Sequence, residues 1–140
     1  MFEVVEVVDI NLAAVLVAAL AFFVVGAVWY SPALFGKQWS AAAKIKESEM
    51  RGAGAAPAMI GSFLSYLVAI YALAYLSALL GVNNAAEGMT LASIASVGLY
   101  TPLALSNALY HKTRRLLWTI NTGYVVAGFL VVGAILGAWQ

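Results

Sequence analysis

Four long apolar stretches, separated by polar segments, make up most of this 140-residue chain. In water so small a domain leaves a large share of its surface exposed. A chain that is 64% hydrophobic and 9% charged has too few polar side chains to cover that surface. A lipid solvent removes the conflict, and a span needs about 20 apolar residues, or about 30 Å of helix. The stretches at residues 10–30, 57–80, 89–110 and 116–139 meet that requirement. The expected fold is all-α: a four-helix transmembrane bundle forming a single domain over residues 1–140.

Local signals bound the spans. Ser31-Pro32 ends the first, because the residue before proline resists helical geometry. Trp29, Tyr30 and Trp39 are expected as interfacial anchors, since amphipathic rings favour the headgroup level. They lead into an interfacial segment over residues 33–55, with a short helix predicted from Ala41 to about Met50, capped by Ser40. Pro57 suits the first turn of the second span. Gly81-Val82-Asn83-Asn84 reads as a stop and turn. His111 to Arg115 form a tight turn that makes the last two spans antiparallel neighbours.

All seven Lys and Arg fall in two polar segments: Lys37, Lys44, Lys46 and Arg51 in one, Lys112, Arg114 and Arg115 in the other. Basic loops stay on the cytoplasmic side. The expected orientation is therefore multi-pass in the inner membrane, with both basic loops inside and both termini outside. Glu3, Glu6 and Asp9 precede the first apolar run, where a secretory signal would carry basic residues, so the first helix is expected to remain in the mature protein. A net charge of +1 gives no general attraction to nucleic acid. The absence of cysteine excludes disulfides, thiolate metal sites and cysteine nucleophiles.

Chemistry-bearing residues are few. No predicted span holds Asp, Glu, Lys, Arg or His, so the buried ionisable residue that marks ion-coupled transport is missing. His111 is the only histidine, and no metal, cofactor or catalytic set is expected. In the third span Ser93, Ser96, Tyr100 and Asn107 are spaced to share one helical face. Pro102 crowds the carbonyl of Gly98, so a kink is predicted there. This face is either a polar pathway at a bend or a packed face whose hydroxyls join helices. Asn107 and Asn121 flank the basic turn, which can bring their amides together. Gly133 and Gly137 form a G-x-x-x-G pair, whose missing side chains let two backbones approach, either within the chain or between copies.

Three stretches together resemble the uncharacterised bacterial membrane family known as domain of unknown function 1761. They are Gly26-Ala27-Val28-Trp29-Tyr30-Ser31-Pro32-Ala33-Leu34-Phe35-Gly36-Lys37 with Trp39 beyond, Ile120-Asn121-Thr122-Gly123-Tyr124, and Gly133-Ala134-Ile135-Leu136-Gly137-Ala138-Trp139. The resemblance implies a four-helix integral membrane protein and no established activity or catalytic residue.

These features favour a noncatalytic membrane scaffold or accessory subunit, in contact with lipid and embedded in a homo-oligomer or a larger membrane complex. The alternative is a small oligomeric channel or passive carrier using the third span. A membrane enzyme acting on lipid has least support. The orientation is testable with single cysteines at Ala43 and Gln140. A membrane-impermeant reagent applied to intact cells is expected to label position 140 and spare position 43; the reverse pattern would invert the topology.

Overall fold

The computed structural model describes residues 9–45 and 53–139. Among the described residues, four helices are long and apolar enough to cross a membrane: Leu12–Trp29, Ala56–Leu79, Ala85–Tyr110 and Arg115–Ala138. We label the elements α1 (Leu12–Trp29), α2 (Gly36–Ala43), α3 (Ala56–Leu79), α4 (Ala85–Ser93), α5 (Thr101–Tyr110) and α6 (Arg115–Ala138). A π-helical segment, Ile94–Tyr100, joins α4 to α5 within the third span.

The helix ends follow from side-chain chemistry. Asn11 caps α1, its Oδ1 accepting from the Ala14 N–H at 3.1 Å. After α3, Gly81 takes φ 72°, and the Val82 N–H bonds back to the Ser77 carbonyl at 2.9 Å. A left-handed residue of this kind favours glycine. Asn84 caps α4 by accepting from the Glu87 N–H at 2.9 Å, while the Glu87 carboxylate accepts from the Asn83 N–H at 3.1 Å. This cap starts the span at Ala85, ahead of the predicted residue 89. The interfacial helix also starts earlier than predicted. It spans Gly36–Ala43, so Ser40 lies inside it and donates to the Lys37 carbonyl. Residues 46–50 of the predicted helix lie outside the described residues.

α6 is the central element: 44% of its apolar window is buried, against 11% for α3. Lipid tails are as apolar as leucine, so close backbone packing rather than hydrophobic segregation must hold such helices together. α6 provides it on two faces. On one, Gly133 and Gly137 meet α4. A Cβ on Gly133 would run into the Gly88 carbonyl and one on Gly137 into the Asn84 carbonyl, while a Cβ on Gly88 would collide with Gly133. The G-x-x-x-G pair thus contacts a helix of the same chain.

The other face meets α1 through rings seated in glycine notches. Phe22 of α1 fills the notch at Gly128, where a Cβ would lie 2.5 Å from the ring. Trp29 fills the one at Gly123. In return, Tyr124 of α6 fills the notch at Gly26, where a Cβ would lie 2.9 Å from its hydroxyl oxygen. Ala14, Val15, Ala18 and Ala19 of α1, Ile70, Leu73 and Ala74 of α3, and Val132 and Leu136 of α6 complete the core.

The third span is irregular at Pro102. Proline has no N–H to give and crowds the preceding turn, and the ladder widens to i→i+5 spacing. Thr101 compensates by aiming both its N–H and its hydroxyl at the Ser96 carbonyl, the latter at 2.7 Å. The widened turns shift the helical register beyond them. Ser96 is fully buried and Asn107 is exposed, whereas the half-covered Tyr100 lies within electrostatic reach of Tyr30 and Tyr66. The single polar stripe expected from α-helical spacing is broken.

Gly133→Leu combined with Gly137→Leu places two side chains against backbone that cannot yield. A loss of about 3 kcal/mol or more is expected, read as a lower Tm and faster proteolysis in nanodiscs. Loss of crosslinked oligomers alone, with monomer resistance unchanged, would place the contact between chains instead.

Candidate functional site

The chain doubles back after α1. The Ser31 hydroxyl donates to the Val28 carbonyl at 2.7 Å. The Phe35 and Gly36 N–H groups then bond to the Trp29 and Ser31 carbonyls at 3.0 and 2.9 Å. A Cβ at Gly36 would collide with the Tyr30 carbonyl, so the return path requires glycine there. The turn lays α2 against the start of α6.

Asn121 fastens this corner. Its Oδ1 accepts from the Tyr30 hydroxyl at 2.7 Å and from the Trp39 Nε1–H at 2.9 Å. An amide oxygen has two lone pairs, and both are used. Trp29 donates its Nε1–H to the neighbouring Ile120 carbonyl at 3.0 Å. The polar tips of Trp29, Tyr30 and Trp39 are thus spent on α6. One level deeper, the Tyr124 hydroxyl donates to the Phe22 carbonyl at 2.9 Å. Its ring stands 4.7 Å from Phe22 and 5.5 Å from Tyr30, centroid to centroid. Tyr66 of α3 meets Phe22 edge-on at 4.6 Å.

These rings border a cavity of about 680 Å³ between α1, α2, the first half of α3 and Tyr124. The opening has a steric origin. The buried residues of α3 are Ile70, Leu73, Ala74 and Ser77, all in its second half. There, small residues of α1 such as Ala14 and Ala18 belong to the same core. Toward its start, α3 meets α1 ring against ring, with Phe23 and Phe63 centroids 6.0 Å apart. The packed core therefore lies along the second half of α3 and the cavity along its first half. Phe23, Tyr30, Trp39, Tyr66 and Tyr124 supply the aromatic wall, and Ser62 adds a hydroxyl. No described lining residue carries a formal charge. The cavity lies at the end of the bundle that bears α2 with Lys37, and the α5–α6 turn with Lys112 and Arg114. Asp9 and Glu87 lie at the other end, where the Asn11 side chain of α1 reaches the Trp139 carbonyl at 3.5 Å.

The residues singled out from sequence fall in several places. Asn121 joins Tyr30 and Trp39 at the cavity corner, and Trp29 lies beside them. Asn107 is exposed on α5 and belongs to a different environment from Asn121. Ser93 and Ser96 turn their hydroxyls back to the Met89 and Ala92 carbonyls, each at 2.8 Å. Pro102 faces outward beyond the π-helical segment. Among the described residues, no three His, Asp or Glu side chains are grouped to hold a metal.

A family model described as protein of unknown function (DUF1761) matches residues 13–137. The chain belongs to this family. The match reaches into all four spans and includes every residue of the aromatic corner. No curated protein and no solved structure matches the chain.

Sequence reasoning passed over the cavity wall on α3. Met59, Ser62, Phe63 and Tyr66 recur at helical spacing and lead onto the face of Ile70 and Leu73. That pattern marks one side of α3, but it does not show that the side is only half covered. Trp118 and Thr122, one turn apart on α6, were also passed over; their Nε1 and Oγ1 are buried without a protein partner among the described residues.

Asn121→Leu removes the acceptor shared by Tyr30 and Trp39 and leaves two donors unsatisfied. An unpaired donor costs about 1–3 kcal/mol, so a clearly lower Tm is expected, with Trp39 fluorescence reporting release of α2. An unchanged Tm and spectrum would show that the corner is held by packing alone.

Proposed function

We propose that this protein is a noncatalytic accessory subunit of the bacterial inner membrane that holds an amphiphilic molecule in its aromatic cavity. The carrying observation is the cavity itself: about 680 Å³, mostly apolar, and framed by hydrogen-bonded rings. Ligand sites of this size are usually largely preformed and apolar, with a few placed polar groups. Here α2 and Asn121 hold the frame in place before any ligand arrives.

Two further features support binding rather than conduction or chemistry. The hydroxyls of Ser93, Ser96 and Thr101 bond to carbonyls of their own helix, which leaves the third span little to offer a water path. The described cavity lining has no carboxylate, amine or imidazole to move a proton. The positive-inside rule puts the cavity end toward the cytoplasm and both termini outside. Outward-facing Leu64 and Val68 on α3, and Leu103 and Leu109 on α5, suit lipid, further copies of the chain or other membrane subunits.

Purification into nanodiscs followed by native mass spectrometry tests this reading. The protein is expected to retain an amphiphile that Ala58→Trp and Ser62→Trp, which fill the cavity, displace without lowering Tm. Equal retention by the filled variants would assign the bound material to the outer surface and overturn the proposal.

A further inference from the structure

We propose that the cavity selects amphiphiles that carry an organic ammonium group; this rests on the cavity being a binding site. The reasoning begins with the hydrogens on its wall. Tyr30 and Trp39 give theirs to Asn121, and Tyr124 gives its hydrogen to the Phe22 carbonyl. A phenol has one hydrogen and an indole one. Tyr66 is hydrogen-bonded to the Tyr124 hydroxyl, so the Tyr30 oxygen is left to offer the cavity a lone pair, beside the rings that line it. Ser62 holds the remaining side-chain O–H group of the described lining.

Such a wall discriminates by charge. An anionic headgroup needs several donors or a cation to replace its water. Among the described lining residues one free hydroxyl does not meet that need, and Lys37 and Lys44 are not among them. A cation gains from the same surface, because aromatic faces carry negative quadrupole density. Phe23, Tyr30, Trp39, Tyr66 and Tyr124 bring five rings to one cavity. An alkylated ammonium has the chemistry that fits: it is less strongly hydrated than a carboxylate or phosphate, needs no donor from its host, and can be drawn in behind an apolar chain. No described lining residue adds a positive charge to repel it.

The test compares octanoylcholine with its uncharged carbon isostere, 3,3-dimethylbutyl octanoate, and with octyl phosphate. Each is titrated by calorimetry against protein in nanodiscs of uncharged glycolipid, with empty nanodiscs subtracted. Cation–π contacts in a desolvated site are worth about 2 kcal/mol, so the choline ester is expected to bind at least about tenfold more tightly than the isostere. Octyl phosphate should bind most weakly. Phe23→Leu and Tyr66→Leu, each checked for an unchanged Tm, should lower the cation preference several-fold while neutral binding shifts by about twofold or less. Using both guards against one of them misfolding.

Equal binding of the two esters would overturn the ammonium assignment and leave the amphiphile cavity standing. Failure of both to bind would overturn both readings, and tighter binding of octyl phosphate would reverse the charge logic. Repeating the titration in nanodiscs of choline lipid separates two sources of the group. Competition names a membrane lipid headgroup, and undiminished binding names a free amphiphile.

Discussion

The structure depends on how closely other helices approach α6. Between helices in lipid, burial of apolar surface yields little, because the competing tails are equally apolar. What remains is dispersion, which falls off steeply with a gap of even half an ångström. α6 meets that constraint differently on its two sides. Gly133 and Gly137 bring the α4 backbone into direct contact at Gly88. Gly123 and Gly128 instead receive whole rings from α1, and Gly26 receives one in return. Each missing side chain on one helix is filled by backbone or ring from the other.

That arrangement also creates the cavity. Rings that lock α1 to α6 stand between α1 and α3 at the basic end, and Phe23 against Phe63 keeps the helices apart there. At the opposite end, Ile70, Leu73 and Ala74 close onto the small residues of α1. The core thus lies where the facing side chains are small, and the cavity where they are aromatic. α2 folds over the open end and is pinned by one amide, Asn121. The same interaction that shapes the wall consumes the donors of Tyr30 and Trp39. The frame and its chemical character therefore have one origin.

Much of the scaffold was legible along the chain. The spans, the all-helical class, the stop at Gly81 and the confinement of basic residues to two segments are local properties. They depend on hydropathy, on proline and glycine, and on where charge can sit. Other features could not be read this way. The Asn84 cap moved the third span to an earlier start, because Glu87 folds into its first turn rather than standing in a loop. Widened turns before Pro102 separated Ser96 from Asn107, because α-helical spacing no longer describes that segment. Asn121 was visible as a polar residue, but its partners lie 82 and 91 positions away.

The sequence alone determined that this chain crosses a membrane as four helices, because only an apolar solvent tolerates its composition and only helices satisfy their own backbone there. It also placed glycines and rings where close contacts become possible. Tertiary structure alone decided which contacts formed. Gly133 and Gly137 face α4 of the same chain, and Asn121 faces Tyr30 and Trp39. The Tyr66 side of α3 is left half covered. These choices rest on which helices stand side by side and how far apart their bulkiest side chains hold them. No local pattern encodes that distance.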